Sequence, residues 1–219
     1  MLDFTWLGDA LGTLTSGTAT TLFLIVVVTA LGTVLSIAGA AGRRSRSRVL
    51  RQALAAYVEA IRNTPFLVQL FFIFFGLPSL GIKLGNIEAA IIAMTLNMTA
   101  YGIEVVRAGL DAVPKGQWEG SAALGLRPYR AFVSVILPQA LRVIFPALAS
   151  QIIIIMLESA VVSQIAVRDL TYEADMLQAR TFRAFETYLV VTGIYLGLAI
   201  VLRRAMQLGA RRWLFGGRT

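Results

Sequence analysis

Cysteine and histidine are both absent from the 219 residues of this chain. With neither thiolate nor imidazole available, zinc, haem and iron–sulfur ligation by the usual side chains are excluded, as is Cys- or His-based catalysis. Carboxylate ligation is the one metal chemistry the composition leaves open. Charge is scarce as well: 15% of residues are charged and 57% are hydrophobic, too apolar for a soluble domain of this size. No G-x-x-x-x-G-K-[ST] phosphate cradle occurs, since the stretch from Gly76 to Lys83 has glycines and a lysine without the required junction, so the chain is not itself expected to hydrolyse ATP. Domain boundaries, low-complexity tracts and internal repeats are also missing, and residues 1–219 read as a single transmembrane domain.

What remains is a set of long apolar runs. Five are long enough, at roughly 20 residues per crossing, to span a bilayer as helices. They lie at 13–41, 64–80, 87–106, 143–166 and 187–202, and the first carries no charged residue. The first is expected to stay as a helix rather than be cleaved as a signal peptide, because the residues before it include Asp3 and Asp9 and no positive region. Basic residues then set the orientation. Arg43, Arg44, Arg46, Arg48 and Arg51 follow the first run; Arg107, Lys115, Arg127, Arg130 and Arg142 surround the loop between the third and fourth; Arg203, Arg204, Arg211, Arg212 and Arg218 follow the fifth. These fifteen of the twenty basic residues fall on one side of alternate crossings, which the positive-inside rule assigns to the cytoplasm. The amino terminus is therefore expected outside and the carboxyl terminus inside. The net charge of +8 is spent on orientation in a membrane, not on a nucleic-acid surface. The outer stretch 167–186 mixes both signs and offers a face on which a soluble partner could dock.

Ionisable groups inside a membrane are costly and need a partner or a wet cavity. Glu158 lies about 24 Å along a straight helix from Arg142, at about 1.5 Å per residue, which puts it in or near the hydrocarbon layer. Ser159 and Ser163 share a face at i, i+4, and Glu158 flanks it. Two readings stand: Glu158 receives a cationic group of a substrate with the serines completing the site, or it is a structural residue, paired with Arg62 or Arg168 or held neutral. Asn97, Tyr101 and Glu104 follow i, i+4, i+7 spacing, a second polar face that could line a path. Glu104 and Arg107, three apart, are expected to pair, as are Glu59 and Arg62 beside Pro65. Gln69 and Gln151 are candidates for interhelical hydrogen bonds.

Between the third and fourth runs lies a polar insert, 113–138. Pro114 breaks the preceding segment, Gln117-Trp118-Glu119 and Ser121-Ala122-Ala123-Leu124 favour a short helix, and Gly125 can end it. Pro128 discourages further helix, and Pro138 marks entry to the next apolar run. The spacing resembles the EAA loop of permease subunits of bacterial ABC importers: E-A-A, three residues, G, nine residues, I, one residue, L-P. Here Glu119-Gly120-Ser121, Gly125, Val135 and Leu137-Pro138 stand in register, with small residues replacing the two alanines and valine the isoleucine. Tyr57-Val58-Glu59-Ala60-Ile61-Arg62-Asn63-Thr64-Pro65, Ala100-Tyr101 with Glu104 and Arg107, Pro114-Lys115-Gly116-Gln117, Leu137-Pro138-Gln139-Ala140-Leu141-Arg142 and the stretch Arg180 to Glu186 extend the resemblance to nearly the whole chain, toward the polar amino acid permeases in particular.

This resemblance implies an all-α fold of five transmembrane helices of the type I ABC importer permease kind in the bacterial cytoplasmic (inner) membrane. It implies that Glu119, Ala122, Gly125, Leu137 and Pro138 form the cytoplasmic coupling element that docks on an ATPase. It also implies two ABC ATPase subunits that bind the ATP and Mg, a second permease copy or sister permease, an extracytoplasmic substrate-binding protein and an amino acid substrate, with no cofactor in this chain. Asn97, Tyr101, Glu158, Ser159 and Ser163 are the substrate-path candidates. Permeases of this kind often carry a K-D-S-S-L-like run where this chain has Leu157-Glu158-Ser159-Ala160-Val161, so the substrate does not transfer with the motif. The competing reading is an ion-coupled secondary transporter or channel working through Glu104 and Glu158.

Overall fold

In a computed structural model of the chain, residues 4–213 are described; Asp3 and Arg218 lie outside them, as do the side chains of Arg211 and Trp213. Every regular element among the described residues is helical. The elements are α1 (Leu7–Arg43), α2 (Arg48–Arg62), α3 (Phe66–Ser79), α4 (Asn86–Asp111), α5 (Lys115–Ala123), α6 (Pro128–Ile165), α7 (Leu170–Thr181) and α8 (Ala184–Trp213). Four of them, α1, α4, α6 and α8, are long and apolar enough to cross a membrane.

The fifth expected crossing takes a different form. Residues 64–80 were expected to span alone, but α3 has only 14 residues, and it continues from α2 through a 110° bend at Thr64-Pro65. The bend follows from local chemistry. The residue before a proline is pushed out of the helical region, so α2 ends at Arg62 and α3 restarts at Phe66. Gln69 closes the break: its amide donates to Ile61 O (2.8 Å), Thr64 O (3.0 Å) and Thr64 Oγ1 (2.8 Å), and its Oε1 accepts from Asn97 Nδ2 (3.3 Å) on α4. The interhelical role expected of Gln69 is thus observed. Tyr57 Oη donates to Leu96 O (2.6 Å), fixing α2 on the same helix.

Two further departures concern prolines. The fourth crossing was expected to begin beyond Pro138, yet α6 starts at Pro128 and runs through Pro138. Proline is well suited to a first helical turn, which is where Pro128 sits. The chain passes Pro138 by widening: residues Phe132–Ile136 form a π turn immediately before Leu137-Pro138, and Phe72–Gly76 form another immediately before Leu77-Pro78. A π turn relieves the clash between a proline ring and the carbonyl one turn back, where an unbroken α-helix would kink.

The tightest packing is between α1 and α4. In lipid, apolar side chains gain little by leaving their surroundings, so association rests on close van der Waals fit and small residues. Gly32, Ser36 and Gly39 of α1 face Met98, Gly102 and Ile103 of α4, and a Cβ added at Gly102 would lie 2.0 Å from Ser36 Oγ. Ser36 Oγ donates to Gly32 O (2.6 Å) and Thr99 O (3.3 Å), so its hydroxyl is satisfied within the seam. At one end of this pair Arg44 bonds Asp111, which also receives Arg107 (3.3 Å). At the other end α7, an element the sequence did not resolve, starts with buried Asp169 as its cap, accepting from Tyr172 N (2.9 Å), while Leu170 N donates to Thr21 Oγ1 (3.2 Å) on α1.

Burial pushes the Asp169 carboxyl up to about 6 from its ordinary value of 3.8, against the lowering effect of its hydrogen bonds. Because the folded-state value is raised, the folded protein holds this proton more tightly than the unfolded chain, and the resulting stability is present below about 4 and lost as pH rises through about 6. Asp169→Asn keeps a capping oxygen without the charge. Its thermal midpoint, measured from pH 4 to pH 7, is expected to fall less than that of the wild type; parallel curves would refute this role for Asp169.

Candidate functional site

Two places carry the polar groups that the sequence singled out. The first is a cleft of about 390 Å³ between α1, α2 and α4, lined by Arg43, Glu59, Arg62, Asn63, Tyr101 and Glu104 among others. The strongly amphipathic α2 supplies most of it. The Arg62 guanidinium lies 5.2 Å from the centre of the Tyr101 ring, a cation–π arrangement that holds it over the cleft. It takes part in none of the ion pairs among the described residues, so the expected Glu59–Arg62 pair is not formed. Glu104 does bond Arg107 (2.6 Å), as its spacing required. The wall therefore presents guanidinium groups and carboxylates within one opening.

One turn before Tyr101, Asn97 is 3% exposed and bound through Nδ2 to Gln69, while its Oδ1 has no partner. Glu158 stands apart from this cleft, at the point where α6 tightens from α-helix into the 3₁₀ turn Ser159–Ile165. Its Oε2 is buried with no hydrogen-bond partner. Neither proposed structural partner reaches it: Arg62 is over Tyr101, and Arg168 Nε donates to Glu173 Oε1 (2.8 Å). Ser159 and Ser163 spend their hydroxyl protons on their own helix, on Met156 O (2.6 Å) and Ala160 O (2.8 Å), leaving them only lone pairs to offer. The structure thus brings Tyr101 and Glu104 together with Arg62, and does not bring Glu158, Ser159 or Ser163 to the same cleft. Arg43 and Arg62 were missed as site residues. The amphipathic pattern of Arg48–Arg62, with one apolar face and one charged face, was the signal that could have found Arg62; Arg43, at the end of α1, carried none.

The second place is the insert. Residues Lys115–Ala123 form α5, and it ends in a complete Schellman motif: Gly125 N donates to Ala122 O (2.9 Å) and Leu126 N to Ser121 O (3.1 Å), with Gly125 at φ +70°. Its inner face is anchored. Ser121 is buried and bonds Gln117 O (2.6 Å), Gln139 reaches Gln117 Oε1 (3.3 Å), and Trp118 lies 6.4 Å from the Phe132 ring in the π turn of α6. Its outer face is open: Glu119 and Ala122 are exposed, and just beyond it Leu124, its C-cap, and Tyr129, in the first turn of α6, are 82% and 77% exposed. Leu137 and Pro138 follow the π turn inside α6, with Leu137 half-buried and Pro138 exposed. α5 thus combines an anchored inner face with an open outer face that is apolar and acidic.

Comparison with known proteins gives a consistent result. Residues 32–214 match the family described as binding-protein-dependent transport system inner membrane component. The chain is 36% identical over 182 residues, 83% of its own length and 84% of the relative's, to a probable glutamine ABC transporter permease of Bacillus subtilis. It is also 36% identical over 200 residues, 91% of its length and 86% of the relative's, to the L-cystine transport system permease of the same organism. Among solved structures, an amino acid ABC transporter crystallised with histidines has a chain that superposes with TM-score 0.90 at 34% identity, covering 97% of this chain and 99% of that one.

Proposed function

Because the chain belongs to the binding-protein-dependent transport system inner membrane components, the membrane permeases of ABC importers, we propose that it moves polar amino acids inward by alternating access, driven by ATPase subunits gripping α5. It is a permease subunit of the bacterial inner membrane and not itself an ATPase. Membership decides against the ion-coupled transporter or channel reading of Glu104 and Glu158.

The orientation with α5 in the cytoplasm is supported by the way the fold gathers its basic ends, since Arg44 at the end of α1 bonds Asp111 at the end of α4, one turn before α5. In the assembly two ATPase subunits bind ATP and Mg, a second permease copy or sister chain completes the path, and an extracytoplasmic binding protein delivers the substrate. Glu119 supplies a polar contact to the ATPase, Ala122 a small packing face and Gly125 the turn. Leu137 and Pro138, with the π turn before them, connect α5 to the membrane-crossing part of α6. The insert 113–138 acts as one element within the single membrane domain.

The observation that carries the substrate class is the cleft in which Arg62, steadied over Tyr101, stands beside Glu59. An amino acid backbone is a carboxylate beside an ammonium, and this wall offers both complements. Glu158, with a buried oxygen lacking a partner, and Asn97, with another, are the groups left to read a side chain farther along the path. The test is uptake of labelled arginine, glutamine, histidine and glutamate by the assembled transporter in proteoliposomes. Arg62→Ala is expected to lower uptake of all transported amino acids by roughly tenfold or more, the loss of one charge-assisted hydrogen bond, and Glu158→Gln to change their ranking. Wild-type uptake in the first variant removes Arg62 from the path, and unchanged selectivity in the second removes Glu158.

A further inference from the structure

A second cleft, of about 480 Å³, opens between α6 and α8, with Phe145, Pro146, Ala149 and Ile153 on one wall and Arg203 and Gln207 on the other. Its polarity is graded along the helices. From Arg203, positions three and seven residues back on the same face of α8 are Ile200 and Leu196, 51% and 60% exposed. Across the groove, Ile153 is followed one turn on by Leu157, 50% exposed. In the other direction, Arg142 lies one turn before Pro146, exposed on the same stripe of α6. The groove is therefore apolar along its length and cationic at one end.

Its cations lack partners among the described residues. Neither Arg203 nor Arg142 takes part in any ion pair among the described residues, and no Asp or Glu occurs from Leu137 to Leu157 or from Thr187 to Trp213. We propose that this groove binds an anionic phospholipid, its phosphate on Arg203 with Arg142 near, and its acyl chains along Ile153, Leu157, Ile200 and Leu196. A zwitterionic lipid would bring an ammonium for which neither helix offers a carboxylate, so the anionic headgroup is selected. A second copy of this chain is the poorer occupant. It would have to answer Arg203 with a carboxylate at membrane depth, and Glu104 is engaged by Arg107 while Glu158 buries an oxygen inside its own subunit. That the lipid comes from the cytoplasmic leaflet rests on the orientation proposed above; the choice of an anionic headgroup does not.

Native mass spectrometry tests this on the permease–ATPase complex extracted from nanodiscs of phosphatidylcholine with a minor fraction of phosphatidylglycerol. The wild type is expected to retain phosphatidylglycerol over phosphatidylcholine, Arg203→Ala to lower that retention about fivefold and Arg142→Ala to lower it further, as removal of basic groups at an anionic surface does. Arg203→Lys keeps most of it, which separates lost charge from lost folding. Arg46→Ala, an exposed arginine at the same end of the molecule but outside the groove, leaves it unchanged. Equal retention by wild type and Arg203→Ala overturns the proposal, as does a disulfide-linked permease dimer formed through Ser150→Cys, a clean reporter in a chain without cysteine. The leaflet is tested separately: a membrane-impermeant thiol reagent is expected to label Lys83→Cys from outside, and failure there with labelling at Arg46→Cys would move the lipid to the outer leaflet without touching the retention result.

Discussion

A Gly125→Val permease is expected to fold and assemble with its ATPase, yet to lose ATP-driven uptake by roughly tenfold or more. The effect originates in a backbone angle. Gly125 sits at φ +70°, in the left-handed region, and a side chain built there would meet nothing within 4 Å. The penalty is therefore not collision with a neighbour but conformation, about 1–2 kcal/mol for an L-residue and more when it is β-branched. The chain avoids that penalty by leaving the conformation, and then the two bonds that cap α5, from Gly125 N and Leu126 N, are lost together. A helix of nine residues has little stability of its own, so its last turn loosens and Leu124, its exposed C-cap, leaves its place. The membrane helices are untouched because α5 is held to α6 ahead of the cap, by Gln117 with Gln139 and Trp118 against Phe132. Gly125→Asn tolerates the left-handed conformation and is expected to recover most uptake. Uptake and substrate-stimulated ATP hydrolysis measured on the same proteoliposomes separate the cases: lost uptake with retained hydrolysis is uncoupling, and wild-type uptake in Gly125→Val would refute the mechanical role of the cap.

Much of this geometry was legible in the chain, and the parts that were not share a physical cause. Gly125 could be read as a helix stop because its effect is local, as could the Glu104–Arg107 pair, which needs only i, i+3 spacing. The long apolar runs of α1, α4 and α8 announced crossings because every residue contributes to the same sum. The second run misled for the same reason: a hydropathy sum cannot tell a straight span from a short helix that turns by 110° at Thr64-Pro65 and is then closed by Gln69. Prolines were over-read as boundaries. Pro128 opens α6 and Pro138 stands inside it behind a π turn, a solution that depends on packing around the helix rather than on the dipeptide. Arg62 was given to Glu59 on spacing alone, whereas its partner, the Tyr101 ring, lies 39 positions away in sequence and on another helix. Glu158 was located at the right element, but only the structure removes Arg62 and Arg168 as its partners.

The most severe loss of folded protein is expected not from any charged residue but from Gly102→Leu. Between α1 and α4 the two backbones approach so closely that even the Cβ of an alanine at 102 would lie 2.0 Å from Ser36 Oγ and 2.7 Å from Ser36 Cβ. The hydroxyl can rotate away, at the expense of its bonds to Gly32 O and Thr99 O, but the Cβ cannot. Gly102→Ala therefore forces the helices apart over their length, because Gly32 against Met98 and Gly39 against Ile103 are fitted to the same separation. Overpacking of this sort costs about 1–3 kcal/mol for a single methyl group, and a leucine multiplies the displaced volume. In lipid nothing restores the loss, since separated helices simply repack against acyl chains. Gly102→Leu is expected to leave no monodisperse protein after detergent extraction, and Gly102→Ala to lower the thermal midpoint while leaving a folded species that can be measured. The decisive comparison is Ser36→Gly with Gly102→Ala. Removing the Ser36 Cβ creates the space that the Gly102→Ala methyl fills, so the double variant is expected to be more stable than Gly102→Ala alone, a positive coupling across the seam. Additive midpoints, or a Gly102→Leu protein that extracts and melts like the wild type, would refute the contact between α1 and α4 as the fit that holds the membrane domain together.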